Sequence, residues 1–349
     1  MSEYGITIPM SGNRRESILC SLDEHKSPIP RRSWGEAASL LGLDDKTVIT
    51  QADLERVHDP AYIGRILDPS PGKEVLVKLI MESLELVNED GTYNRYEPKK
   101  AVRPLRELAE SQIYRCTGTY LALKIALERR GEGPYKDFCF CLGGGSHHPR
   151  YDMPSGFGVL NDPVIGVRKI MAEGKASFVW IIDVDAHKGD GTAELIRFSR
   201  NRGETFSGKT PEVFTLSAHM ASGWPLDEES LAKAIPGRAP LLESDIDIPI
   251  AAGEENVYNE RLLQGLLEME ARSLPRKPDL ALVVDGADVY EKDGLPSTSC
   301  LALTLEQMLE RDHLILSFLQ ERGIPSGWIM AGGYGPRAWE PTANFLNSL

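Results

Sequence analysis

Three carboxylates and a histidine fall within one short stretch of this chain, Asp183-Val184-Asp185-Ala186-His187-Lys188-Gly189-Asp190. Alternate side chains of an extended segment share a face, so Asp185 and His187 are placed to reach one point. A carboxylate and an imidazole so spaced can ligate one divalent ion. A third ligand from elsewhere leaves a coordination position open, as catalytic zinc requires. Asp288, in Asp285-Gly286-Ala287-Asp288, is the candidate third ligand. A lone Asp-x-Asp is more often a helix cap or a surface turn. Here His187 and the following Gly189-Asp190-Gly191 favour the metal. A second element is His147-His148, preceded by Gly143-Gly144-Gly145-Ser146. Paired imidazoles serve as general base and acid when carboxylates orient and tune them. Asp183 and Asp190 are available for that task. Tyr334, within Gly332-Gly333-Tyr334-Gly335, offers a phenol able to donate to a developing oxyanion. Taken alone, such a string is more often a turn.

These groups follow short apolar runs: Asp137–Leu142, Phe178–Val184, Val213–Ser217 (with His219 beyond it), Asp279–Val284 and Gly327–Met330. Each reads as a strand buried on both faces, the mark of a parallel sheet. Ligands of such sheets bind beyond the carboxyl ends of the strands, where five runs deliver ionisable groups and glycines to one edge. Helical patterns lie between them. Val257–Arg272 carries Tyr258, Leu262, Leu266 and Met269 on one stripe. Leu305–Arg322 opens on a capping box, Thr304 with Gln307, and stops at Gly323. Ala61–Leu67 follows Pro60, a helix-starting residue. The alternation predicts one α/β layered domain over 1–349, with a mostly helical first hundred residues. Pro69–Lys73, Glu89–Lys100 and Asn201–Thr210 read as surface loops.

The 349 residues are 41% hydrophobic and 26% charged, ordinary for a soluble globular protein. No apolar run reaches the roughly 18 residues of a transmembrane helix, and Met1–Arg15 lacks the apolar stretch of a secretory signal. Five scattered cysteines, Cys20, Cys116, Cys139, Cys141 and Cys300, suit a reducing cytosol, so a cytoplasmic location and no membrane association are expected. A net charge of −13 argues against nucleic-acid binding. It favours a cationic substrate such as a lysine side chain or a polyamine, although solubility alone accounts for it.

The combined string resembles the histone deacetylase family in order and spacing. The resemblance is carried by Gly143–His148, Gly156-Phe157-Gly158-Val159-Leu160-Asn161-Asp162, Asp183–Gly191, Ser217 with His219, Gly286-Ala287-Asp288 with Asp293 and Leu295, and Gly332–Gly335. Upstream, Asp53–Tyr62 is similar to the family's early helix entry. This resemblance implies an arginase–deacetylase fold, a mostly parallel sheet of about eight strands in an α/β/α sandwich. It implies a zinc-dependent amidohydrolase acting on an acylated amine, with Asp185, His187 and Asp288 as metal ligands. His147 and His148 match the paired histidines, Asp183 and Asp190 their partners, and Tyr334 the carbonyl-polarising tyrosine. Phe157 and Trp224 match tunnel walls, Leu295 a substrate-binding position, and Gly156 a carbonyl that accepts from the substrate amide. Asp183, Asp185, His187 and Ser217 fall where the family holds a structural potassium ion. The ligand set would also accept Fe(II) or Co(II).

Four departures bear on the substrate. Lys188 stands where the family has a second histidine, bringing a cation beside a metal ligand. Gly158 replaces a cysteine and is expected to leave room for acyl groups larger than acetyl. Pro149 replaces a small residue, and Glu89–Leu105 shows no counterpart to a rim aspartate. Two rival readings remain open: a catalytically silent binding protein, invited by Lys188, and a binuclear manganese ureohydrolase, which would need further bridging carboxylates.

Overall fold

The structure is a computed structural model that describes residues 1–10, 12–67, 73–88, 90–129, 131, 133–203, 212–226 and 243–349. Six strands form one sheet among these residues. They are β1 (Phe138–Cys141), β2 (Phe178–Asp183), β3 (Glu212–Met220), β4 (Ile246–Ile250), β5 (Leu280–Asp285) and β6 (Ser326–Met330). Their order is β1-β6-β5-β2-β3-β4, and every neighbouring pair is parallel. The sheet thus has six described strands where about eight were expected. The five apolar runs all became strands. The sixth, β4, escaped the pattern because Pro249 interrupts Ile-Asp-Ile-Pro-Ile. A proline is tolerated there because, among the described residues, β4 is an edge strand bonded only to β3.

Both faces of the sheet are covered. Alternation along β2 sends Val179 and Ile181 into one core, and Phe178, Trp180 and Ile182 into the other. The first core is closed by α2 (Trp34–Leu40), α3 (Gln51–Glu55), α4 (Pro60–Leu67), α5 (Lys73–Ser83), α6 (Arg106–Leu127), α7 (Asp162–Ala172) and α8 (Asp190–Asn201). The second is closed by α1 (Arg14–Glu24), α9 (Tyr258–Ser273), α10 (Leu305–Glu321) and α11 (Glu340–Ser348). The expected stripe of α9 is buried as read, and α10 begins at the Thr304–Gln307 capping box. The loops expected at Pro69–Lys73 and Asn201–Thr210 fall largely outside the described residues, although Lys73 opens α5 and Asn201 closes α8. No helix among the described residues is long and apolar enough to cross a membrane.

One topological fact positions the site. From β2 the chain runs through α8 to β3 on one side, while from β5 it runs through α10 to β6 on the other. The turns leaving β2 and β5 therefore diverge and open a crevice at the sheet's carboxyl edge.

Candidate active site

Asp185 leaves β2, and Asp288 lies three residues beyond β5, so both stand over that crevice. One ligand atom from each of Asp185, His187 and Asp288 lies within 4.8 Å of the other two, and all three residues are buried. Nδ1 of His187 is 3.2 Å from Asp185 Oδ1 and 3.2 Å from Asp288 Oδ2. Burial raises the Asp288 carboxyl, and the neighbouring Asp185 charge raises it further. The two carboxylates thus repel in a medium that screens poorly, an arrangement a divalent cation would relieve. Among the described residues Asp288 Oδ2 accepts no well-formed hydrogen bond, only the 3.2 Å approach of His187 Nδ1. Gly332 donates its N–H to Asp185 Oδ2 at 2.8 Å, and a Cβ on Gly332 would collide with both carboxylates. An orphaned buried oxygen, paired carboxylates and a cradle kept clear by a glycine fit a metal ion. The Asp₂His donor set suits a first-row divalent ion such as zinc.

The two histidines are built differently. His147 Nδ1 lies 2.6 Å from Asp183 Oδ2, and His148 Nδ1 lies 2.7 Å from Asp190 Oδ1, with 3.9 Å between the ring centres. Burial opposes charge on His147, but Asp183 and Asp185 overcome it and push its pKa up to about 10. Burial and the charge on His147 push His148 down to about 4, with Asp190 opposing only in part. Asp190 is weakened as a partner because it also takes a 2.6 Å bond from Arg150, which pairs with Glu194 as well. The Asp162 carboxylate supports the pair from below by accepting from the N–H groups of Gly145 and Ser146, at 3.0 and 2.8 Å.

Tyr334 is buried 6.0 Å from the Phe157 ring, centre to centre. Burial lifts its phenol well above the ordinary range, and Asp288 and Asp185 add to the effect. Tyr334 is therefore a hydroxyl donor near neutral pH. Asp293 accepts from the N–H of Tyr334 at 2.6 Å and from that of Leu295 at 2.9 Å, linking those two positions. Trp224 packs 4.5 Å from His148 and 5.4 Å from His187, covering the imidazoles. Gly156 backs directly onto the His148 ring, leaving no space for a side chain. Ser217 opposes Asp183 in the β2–β3 register and accepts from the N–H of Gly189 at 3.3 Å. The four residues of the expected potassium position are thus neighbours.

Two departures read differently in three dimensions. Lys188 turns away from the metal ligands, and its Nζ lies 2.8 Å from Asp247 Oδ2 on β4. Its charge is therefore met by a carboxylate on β4, two strands over from β2. Gly158 leaves no extra room, correcting that expectation: a Cβ there would lie 2.8 Å from the Ser146 Cβ and 2.9 Å from the Pro149 ring. Pro149 fills the volume that Gly158 vacates. Three arginines went unnoticed in the sequence. Arg150, two residues past His148, was visible in spacing alone. Arg14 and Arg311 lie far from every motif, and nothing local marks them. Arg14 donates to the carbonyls of Ala331 and Gly332 at 2.7 and 3.0 Å. It borders a cavity of about 1230 Å³ that also meets Trp34, Cys141, Phe157 and Tyr334.

Three metal-competent side chains at a strand-switch crevice thus stand beside two carboxylate-bound histidines and a buried tyrosine on a parallel α/β sheet. The chain belongs to the histone deacetylase domain family, whose model matches residues 8–347. It is 23% identical over 335 residues to histone deacetylase 2 of Arabidopsis thaliana, covering 93% of this chain and 74% of that one. An uncharacterized protein of Picosynechococcus is 29% identical over 218 residues, 62% of this chain. The match spans 60% of that relative's length. The fold is also that of acetylpolyamine aminohydrolase from Burkholderia pseudomallei, with a TM-score of 0.56 and 19% identity over 95% of this chain and 88% of the other.

Proposed function

We propose that this protein is a metal-dependent amidohydrolase that removes an acetyl or larger acyl group from a lysine side chain or a polyamine, as one catalytic unit spanning 1–349. The observation that carries this reading is the convergence of Asp185, His187 and Asp288 beside the His147–His148 pair. These three residues would hold zinc, which supplies Lewis acidity to polarise a carbonyl and acidify water. His148, neutral near pH 7 and with its Nδ1 engaged by Asp190, is the general base. It takes a proton from the attacking water as oxygen bonds to the acyl carbon. It returns that proton to the amine nitrogen as the C–N bond breaks, leaving a carboxylic acid and a free amine. His147, held cationic by Asp183, lends positive charge to the developing oxyanion, and Tyr334 donates its hydroxyl to the same oxygen.

Phe157, Trp224, Gly156 and Leu295 form the substrate passage in this reading, and the acidic chain attracts a cationic amine. The cavity beside Tyr334 offers space for an acyl chain, a role that Gly158 does not fill. A potassium ion at Asp183, Asp185, His187 and Ser217 is part of the same proposal. Pairing of Lys188 with Asp247 supports catalysis over a silent binding role, since a carboxylate meets the Lys188 charge. The test is a panel of acyl-lysine peptides and acylpolyamines, assayed with and without a chelator. Turnover that the chelator abolishes and added zinc restores is expected. Absence of turnover on every substrate by the zinc-loaded protein would refute the reading.

A further inference from the structure

Ligands on two diverging turns bind an ion well only if the distance between the turns is fixed. Regular β2–β5 pairing reaches Asp183 opposite Val284, just before the site. Beyond it, the carbonyls of Val184 and Gly286 enter the buried interior, where each needs a donor. One side chain reaches both. Arg311, from the middle of α10, is fully buried, and its Nη1 donates to Val184 O at 3.1 Å and to Gly286 O at 2.8 Å. Val184 immediately precedes Asp185, and Gly286 comes two residues before Asp288. The other guanidinium nitrogens are also committed, Nε to Asp312 at 2.8 Å and Nη2 to Asp285, the last residue of β5. The planar fork is therefore held in its own plane and cannot swing away from the carbonyls. Where Gly286 faces Asp185, a Cβ would lie 2.5 Å from the Asp185 Cα, so the two turns are already in contact.

We infer that Arg311 is a positioning residue for the metal centre, clamping the β2 and β5 turns so that Asp185 and Asp288 meet at one ion. It touches neither the ligand side chains nor the substrate, and acts by holding the backbone from which the ligands project. This inference rests on the metal-site reading proposed above. Outer contacts of this kind are worth about 10- to 100-fold in metal affinity.

Simple removal of Arg311 would strand the Asp285 carboxylate in the core, and loss of fold would mask the effect. The informative variants are Arg311→Lys, which keeps the charge but loses the fork, and Arg311→Met with Asp285→Val, which removes the buried pair together. In the second variant Asp312, whose carboxyl burial pushes up to about 8, remains neutral. Three quantities are measured on each protein: zinc affinity by competition with a chromophoric chelator, the visible spectrum of the cobalt-loaded form, and melting of the metal-free form. The double variant is expected to lose about 10- to 100-fold in zinc affinity and to show altered cobalt bands, with metal-free melting close to wild type. Arg311→Lys should fall between the two. Affinity within threefold of wild type with unchanged cobalt bands would overturn the inference. So would an affinity loss that merely tracks loss of metal-free stability across the variants. A wild-type protein that binds no divalent ion would instead refute the metal-site reading itself.

Discussion

Gly332→Ala adds one carbon where the metal cradle is narrowest. The backbone accepts it, because Gly332 is not in the left-handed region. The space does not: the new Cβ would fall 2.5 Å from Asp185 Oδ2 and closer still to Asp288 Oδ2. Nonbonded contacts at Cβ require about 3.0 Å, so these oxygens must retreat by about 0.5 Å or more. Both carboxylates are short and bonded to backbone N–H groups, Asp185 to His187 and Asp288 to Ala186, at 3.0 Å in each case. Neither has a free rotation to give. Metal–ligand distances tolerate only about 0.2 Å, so zinc affinity should fall on the order of 10²-fold or more, beyond the usual effect of an outer contact. Metal content after exhaustive dialysis, with melting curves in the presence and absence of zinc, reads the result. Wild type should retain one zinc and melt higher with it, while Gly332→Ala should lose the ion and melt like metal-free wild type. If Gly332→Ala kept one zinc per chain at wild-type affinity, the site would not lie where these residues converge.

Tyr334→Phe should lower turnover of an acylated amine by about 10²–10³, the value of one oxyanion donor, with zinc content unchanged. A rate near wild type would remove Tyr334 from the mechanism. His58 governs stability away from the metal. Its Nε2 accepts from the N–H of Asn161 at 3.0 Å, and burial lowers its pKa from 6.5 to about 4. The unfolded chain therefore takes up the proton first. This contribution is complete above pH 6.5 and lost between 6.5 and about 4, to a limit of about 3 kcal/mol. Urea unfolding of the metal-free protein at pH 7 and 4.5 should show a gap between wild type and His58→Gln that narrows on acidification. A gap independent of pH would contradict the assignment.

The sequence was most informative where chemistry and periodicity coincide. Phe178–Val184 is too apolar for a half-exposed strand, and its acidic continuation has meaning only at the carboxyl end of a buried one. The Thr304–Gln307 box and the stripe from Tyr258 to Met269 are local signals, and helices are local structures. What stayed hidden is non-local. Pro249 made β4 read as irregular because the pattern does not say that β4 lies at an edge. The space around Gly158 depends on Pro149 and Ser146, which meet it only after folding. Lys188 reads as a threat to the metal until Asp247, 59 residues on, is seen to take its charge. Arg14 and Arg311 act through backbone carbonyls, which every residue has, so no spacing rule marks their targets.

The crevice between β2 and β5 has a bearing on how the molecule would come apart. Asp288 and the residue after Asp185 are separated by 102 positions, so an ion gripped there ties together a stretch nearly a third of the chain in length. Like any tie across a large loop, it would subtract from the disorder available to the unfolded chain. It would also join β2 to β5, neighbours in the sheet that no single connection links, since each is followed by a strand on its own side. A chelated protein should therefore admit hydrogen exchange first beyond that pair, at the amides of Ala186 and Ala287, while the outer strands remain closed.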